Sequence, residues 1–268
     1  MPIQFKSEAQ VQAMRMAGII VGETLEILRA KIVIGVTTNE LDALAEEHIR
    51  MRGAIPSFMG YHGFPATICA SINDEIVHGI PSDRAIMDGD VVSIDCGAIL
   101  NGWHGDAAFT VGVGQVHSKD QALIETCESS LWAGIAAAQI GGHLSDIGHA
   151  VERVIKSRGR YGILQEYGGH GIGTEMHQDP HVLNYGKGGR GPELVPGLVL
   201  AVEPMITRGS NRNRVLADEW TVVSTDGSRA AHFEQTFTLM ADGRPYVLTS
   251  LDGGKSALSM LGVEAYAD

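Results

Sequence analysis

The chain has 268 residues, 44% of them apolar and only nine of them proline, enough to bury a large core as one or at most two domains. A net charge of −12 argues against a broad electrostatic footprint for DNA, RNA or anionic lipid, and no run approaches the ~18 consecutive apolar residues of a membrane span. Three widely spaced cysteines imply neither a disulfide framework nor a cysteine zinc finger; with no charged-then-apolar signal pattern at the N-terminus, a reducing, cytoplasmic compartment is expected.

In chain order, Val11, Met14, Gly18, Val21, Leu25 and Leu28 recur at helical spacing and predict a helix from Ser7 to Arg29, with Ser7 as its N-cap. A second helix starts at Thr37, where Glu40 completes a capping box and Leu41, Leu44, His48 and Ile49 define one face. Val91 to Gly97 and Gly105 to Val113 are strand-like runs separated by Asn101-Gly102, the strongest short hairpin signal. Ser118 and Gln121 open a third helix running toward Gly141, and a fourth covers Ser145 to Arg158. The glycine-rich run from Tyr185 to Pro196 is a loop, and Val199 to Pro204 is a buried-looking strand.

The chain also carries an internal repeat. Ile34 to Gly53 aligns without gaps on Ile140 to Gly159, 106 residues later, with six identities in twenty positions. At an offset of 108, Gly89 to Asp95 falls on Gly197 to Glu203, which sets Asp95 opposite Glu203. Two copies are too few for a solenoid and point to a duplicated, pseudo-twofold fold with a site between its halves.

Four clusters could carry chemistry. With Asn101-Gly102 as the turn, Asp95 pairs with Ala108, and Asp106 points to the same face as a diagonal neighbour ~7–8 Å away at the backbone. Aspartates that merely cap turns on a solvated face are the ordinary alternative. Asp95, however, follows Val91-Val92-Ser93-Ile94, where a lone buried carboxylate is costly without a cation. Gly168 to Gly173 surrounds His170 with glycines that make room for a bound group, and Met176-His177 follows. Glu203 ends a buried strand, and Glu234 lies in His232-Phe233-Glu234-Gln235-Thr236, where a salt bridge to arginine is an equal reading. No His-Glu-x-x-His pattern, phosphate loop or dinucleotide fingerprint is complete.

Taken in order, Gly60-Tyr61-His62-Gly63-Phe64-Pro65, Asn73 to Pro81 with His78, Asp95, Asp106, Gly169 to Gly173, Glu203-Pro204-Met205 and Phe233-Glu234 resemble the type I methionine aminopeptidases of bacteria, within the creatinase and prolidase superfamily. The match runs along essentially the whole chain. The resemblance implies an α/β pita-bread fold, mainly antiparallel curved sheet with helices on its outer face, as one catalytic domain over 1–268 with halves of roughly 10–115 and 116–250. It implies that Asp95, Asp106, His170, Glu203 and Glu234 hold two divalent metal ions, for which four carboxylates and one imidazole suit Mn, Fe, Co or Zn. It further implies that activated water attacks the carbonyl after an N-terminal methionine, with Glu203 as general base. His177 would hydrogen-bond the carbonyl oxygen and His78 would contact the scissile amide nitrogen. Tyr61, His62, Phe64, Cys69, Met176 and Trp220 match the methionine pocket, alongside His78 and His177 as substrate-binding groups.

The implied substrates are N-termini of nascent polypeptides whose second residue is small, met by a monomer in the cytoplasm; any ribosome contact would use the surface of the catalytic domain. Pro2 is itself small, so Met1 fits the same rule. Four positions depart from the usual pattern: Phe64 for tyrosine, Met176 for an aromatic, Gln178 for glutamate and Gln235 for histidine. Only 30 residues separate Glu203 from Glu234, too few for the helical insert of the type II enzymes. An Xaa-Pro peptidase would normally carry a separate N-terminal domain, and a non-catalytic binding module of this fold would have lost metal ligands.

Overall fold

The computed structural model describes residues 2–266, so the expectation for Met1 falls outside the described residues. Helix α1 (Glu8–Lys31) begins where Ser7 and Gln10 close a capping box, the amide of each donating to the side chain of the other. Helix α2 (Thr38–Met51) starts the same way from Thr37 and Glu40. Helix α3 (Ser118–Ala137) differs from the expected Ser118 cap: Nδ1 of His117, one residue earlier, accepts the Lys119 amide at 3.1 Å and takes up that orphan donor. Helix α4 (Leu144–Arg158) follows His143, whose amide donates to Asp146 Oδ2. α2 and α4 occupy the two copies of the sequence repeat, and the duplication is therefore structural.

The strands Val91–Leu100 and Trp103–Gly112 form a long antiparallel hairpin about Asn101 (φ 51°) and Gly102 (φ 81°), the paired left-handed residues that a two-residue turn of matching twist requires. The register is the expected one, with Asp95 opposite Ala108 and Gly97 opposite Asp106. Ile68–Ile72 and Ile55–Pro56 lie one after the other along the other edge of Val91–Leu100, pairing with Val92–Cys96 and with Ala98–Ile99. Alternation then sorts the faces: Val92, Ile94, Cys96 and Ala98 enter the main core, each fully buried, while Ser93 and Asp95 turn the other way. Burying one such valine or isoleucine is worth ~1.5–3 kcal/mol. Helix α1 packs on this hairpin at a close crossing, where a Cβ on Gly105 would meet the Gly18 backbone nitrogen at 2.8 Å.

The second half builds a five-stranded antiparallel sheet in the order Pro245–Val247, Gln235–Leu239, Leu200–Val202, Gly169–Gly171, Gln178–Val182, with α3 packed against α4. Two smaller three-stranded sheets complete the structure of the described residues. The halves meet at several places, among them the pairing of Glu75–Val77 with Val222–Ser224 and the bonds between Thr110 and His232; the contact that brings the acids together is a backbone pair. The Ala108 amide donates to the Glu234 carbonyl at 3.2 Å and the Glu234 amide donates to the Ala108 carbonyl at 2.9 Å. Beside them, Thr236 Oγ1 donates to the Asp106 carbonyl at 2.8 Å. This seam aligns Asp95, Ala108 and Glu234 across three adjacent strands, so the acids of the two halves meet there. No helix among the described residues is long and apolar enough to cross a membrane.

Candidate active site

Asp95, Asp106, His170, Glu203 and Glu234 line one cavity of about 110 Å³ together with Phe58, Tyr61, Phe64, Cys69, His78, Met176, His177 and Trp220. Asp95 and Asp106 project from the two strands of the hairpin. His170 comes from the short strand Gly169–Gly171, Glu203 follows the end of Leu200–Val202, and Glu234 sits at the seam. His170 is held by glycine neighbours for a steric reason: a Cβ on Gly169 would lie 2.2 Å from the Ala201 carbonyl oxygen, and one on Gly171 would lie 2.3 Å from that of Asp179. Asn184 Nδ2 donates to the Glu203 carbonyl at 2.9 Å and fixes the strand end that carries this carboxylate.

The cluster is electrostatically incomplete as protein alone. Burial pushes the Asp95 carboxyl up to about 7, and burial together with neighbouring acids pushes Asp106 and Glu234 well above the carboxylate range; burial does the same to Glu203. Asp95 Oδ1, Asp106 Oδ1 and Glu234 Oε1 are buried with no hydrogen-bond partner. No lysine or arginine among the described residues lines the cavity. His170 Nε2 lies 3.4 Å from Glu203 Oε1, yet burial holds this imidazole down at about 3, so the contact is not an ion pair. Its Nδ1–H donates to the Gly171 carbonyl at 3.0 Å, which leaves Nε2 unprotonated and directed at the acids. Ligand atoms of Asp106, His170 and Glu234 all lie within 4.8 Å of one another. Unpartnered carboxylate oxygens, a neutral imidazole of fixed tautomer and the lack of any lysine or arginine among the described lining residues fit a site for divalent cations.

Beside the acids lies an apolar pocket. Phe58, Phe64, Ala66, Cys69 and Met176 form their own buried cluster, with Tyr61, Ile80 and Trp220 packed on it. The rings of Phe64 and Trp220 meet edge to face at 5.0 Å. His177 stands at the mouth, where the Tyr61 hydroxyl is 2.7 Å from its Nδ1. His78 is held near 4 by burial, with His232 and His177 adding to the shift, and its ring meets those of Tyr167 (5.7 Å) and Trp220 (6.4 Å). His78 (φ 60°) and His62 (φ 48°) both occupy the left-handed region, a backbone cost that clusters at functional sites. His62 is exposed, packs on Tyr61 at 4.4 Å and is not among the residues lining the cavity.

Sequence reasoning missed Phe58, Tyr167 and His232. Phe58 is delivered by a backbone hydrogen bond from Ser57 to Gly97, which no local pattern announces. His232 had a legible signal: it lies two residues before Glu234 and so belongs on the same face of a strand.

The model of "Metallopeptidase family M24" matches residues 12–240. The chain is 52% identical to "Methionine aminopeptidase 1" of Mycobacterium tuberculosis over 91% of this chain and 94% of that protein. It is 50% identical to "Methionine aminopeptidase" of Clostridium acetobutylicum, covering 92% and 98%. Its fold superposes on the crystal structure of a methionine aminopeptidase from Rickettsia prowazekii with a TM-score of 0.89 at 38% identity, covering 92% of this chain and 99% of the other.

Proposed function

The chain belongs to metallopeptidase family M24, among its methionine aminopeptidases, and on that premise we infer how its cavity removes an N-terminal methionine. The enzyme is a metal-dependent exopeptidase of mixed α/β pita-bread fold. The finer reading takes 1–268 as one catalytic domain, whose halves of roughly 10–115 and 116–250 share the centre. Asp95, Asp106, His170, Glu203 and Glu234 would hold two divalent ions, Mn, Fe, Co or Zn. The observation that carries this is the convergence of three unpartnered carboxylate oxygens and His170 beside an apolar pocket. Bound ions supply Lewis acidity, easing deprotonation of water and polarising the scissile carbonyl.

The protein's own groups do the rest. Glu203, a buried carboxyl pushed upward, accepts the proton of the attacking water. With the Tyr61 hydroxyl donating to Nδ1 of His177, the ring proton sits on Nε2, the tautomer that can donate to a developing oxyanion. His78, backed by Tyr167 and Trp220, contacts the scissile nitrogen. The pocket of Tyr61, Phe64, Cys69, Met176 and Trp220 receives the unbranched thioether through sulfur and ring contacts, with His62 packed on Tyr61. A small second residue is required sterically. The same reading has a monomer acting in the cytoplasm on nascent chains at the ribosome, which gel filtration and co-sedimentation with ribosomes test.

The direct experiment is release of free methionine from Met-Ala-Ser and Met-Leu-Ser peptides after chelation, with Mn, Co or Fe added back. Metal-dependent cleavage of the alanine peptide alone is expected; no cleavage with any metal would sink the reading.

A further inference from the structure

His232 is 2% exposed, and its Nε2 is a buried nitrogen with no hydrogen-bond partner. The strand Ala230–His232 pairs antiparallel with Met205–Thr207, so His232 faces Met205, two residues beyond Glu203. The backbone of His232 is fully engaged without the ring: its carbonyl accepts from Thr110 Oγ1 at 2.6 Å and its amide donates to the same oxygen at 2.9 Å. Held there, Nε2 lies 3.7 Å from Glu203 Oε2, and ligand atoms of Glu203, His232 and Glu234 all fall within 4.8 Å of one another. Donors that share one ion at ~2.0–2.2 Å are separated by distances of this order. Asp95, Glu203 and His232 also open together, with His78, onto a second cavity of about 260 Å³.

We propose that His232 is a sixth ligand of the metal centre, a second imidazole that joins Glu203 and Glu234. The proposal rests on the reading of the cavity as a metal centre and extends its donor set from one imidazole to two. A buried, unpartnered ring nitrogen between two carboxylates is otherwise a cost, and coordination removes it. The chemistry changes with it. A second nitrogen donor among carboxylates makes the site less suited to Mn, which prefers oxygen, and better suited to Fe, Co and Zn.

The test counts imidazoles directly. The full chain is labelled with ¹⁵N-histidine, stripped of metal and loaded with ¹¹³Cd, and scalar coupling between cadmium and ring nitrogens is recorded. Two coupled rings are expected in the parent protein and one, that of His170, in His232→Gln. The same substitution is expected to weaken Cd binding by about 10- to 100-fold in calorimetry. Fewer than two coupled rings in the parent refutes the inference whether or not the variant folds; when two couple, loss of one in His232→Gln assigns it, and survival of both in the variant overturns the assignment to His232. One coupled ring in the parent overturns the inference while leaving the metal centre in place. Cadmium that fails to bind overturns both.

Discussion

Burial, with Glu203 adding to the effect, pushes the Asp95 carboxyl up to about 7 from an ordinary value of 3.8, so the metal-free folded state binds this proton more tightly than the unfolded chain does. Its contribution to stability is complete below pH 3.8 and is lost as pH rises through about 7. Asp95→Asn, which cannot ionise, should therefore make the metal-free protein more stable than the parent at pH 8, with the gain vanishing near pH 4 in thermal melts. The same substitution should weaken metal binding, since it removes a charge the ions need. At the pocket mouth, Tyr61→Phe removes one hydrogen bond to His177, worth ~0.5–1.5 kcal/mol, so kcat should fall about two- to tenfold with KM little altered. His177→Ala should cost about 10²–10³-fold in kcat, as loss of an oxyanion donor does. A kcat for His177→Ala equal to that of Tyr61→Phe would mean that the ring does not touch the reacting carbonyl. The acids of the hairpin were legible in the sequence because a carboxylate inside an apolar run is conspicuous and the Asn-Gly turn fixes its register. His232 was not singled out, because its neighbour Glu234 already explained the motif and its contact with Glu203 arises between strands distant in sequence.

At the scale of elements, capping chemistry made the starts of helices α1 and α2 readable, since each capping box is a local exchange of two hydrogen bonds, whereas α4 begins one residue before the expected Ser145. The start of α3 was read one residue late because histidine is an uncommon cap. Leu200–Val202 was legible as an apolar run, but the three-residue strands Gly169–Gly171 and Ala230–His232 have no periodicity long enough to declare them, and only their pairing with Leu200–Val202 and with Met205–Thr207 defines them. The close strand packing around His170 has a testable cost. A Cβ at position 169 would meet the rigid backbone of Ala201, so Gly169→Ala should destabilise the protein by ~1–3 kcal/mol in urea unfolding. Because Gly169 adjoins His170, the variant should also lose metal affinity, and an unchanged affinity would show that the strand shifts as a unit without disturbing the ligand.

For the molecule as a whole, the internal repeat announced two halves, but which surfaces they join across is written only in long-range contacts: the backbone pair of Ala108 with Glu234 and the Thr236 bond to Asp106. Asp95 and Asp106 come from one half and His170, Glu203 and Glu234 from the other, so on the proposed reading ions bound between them would hold the halves together and stabilise the folded state by mass action. At free metal a thousandfold above Kd this amounts to ~4 kcal/mol, and at ~2–4 °C per kcal/mol for a chain of this size the melting temperature should rise by about 8–16 °C. The increment should depend on pH. Asp95, held near 7, and Asp106, Glu203 and Glu234, pushed up by burial, must all lose protons before they can act as ligands. Metal must therefore displace protons at pH 5.5 that are already partly gone at pH 8. Melts of chelated and Mn-loaded protein should diverge widely at pH 8 and nearly coincide at pH 5.5, with proton release on binding measurable by calorimetry in buffers of different ionisation enthalpy. A metal increment of equal size at both pH values would mean that the four carboxyls are already ionised in the metal-free fold, held by contacts other than the ions.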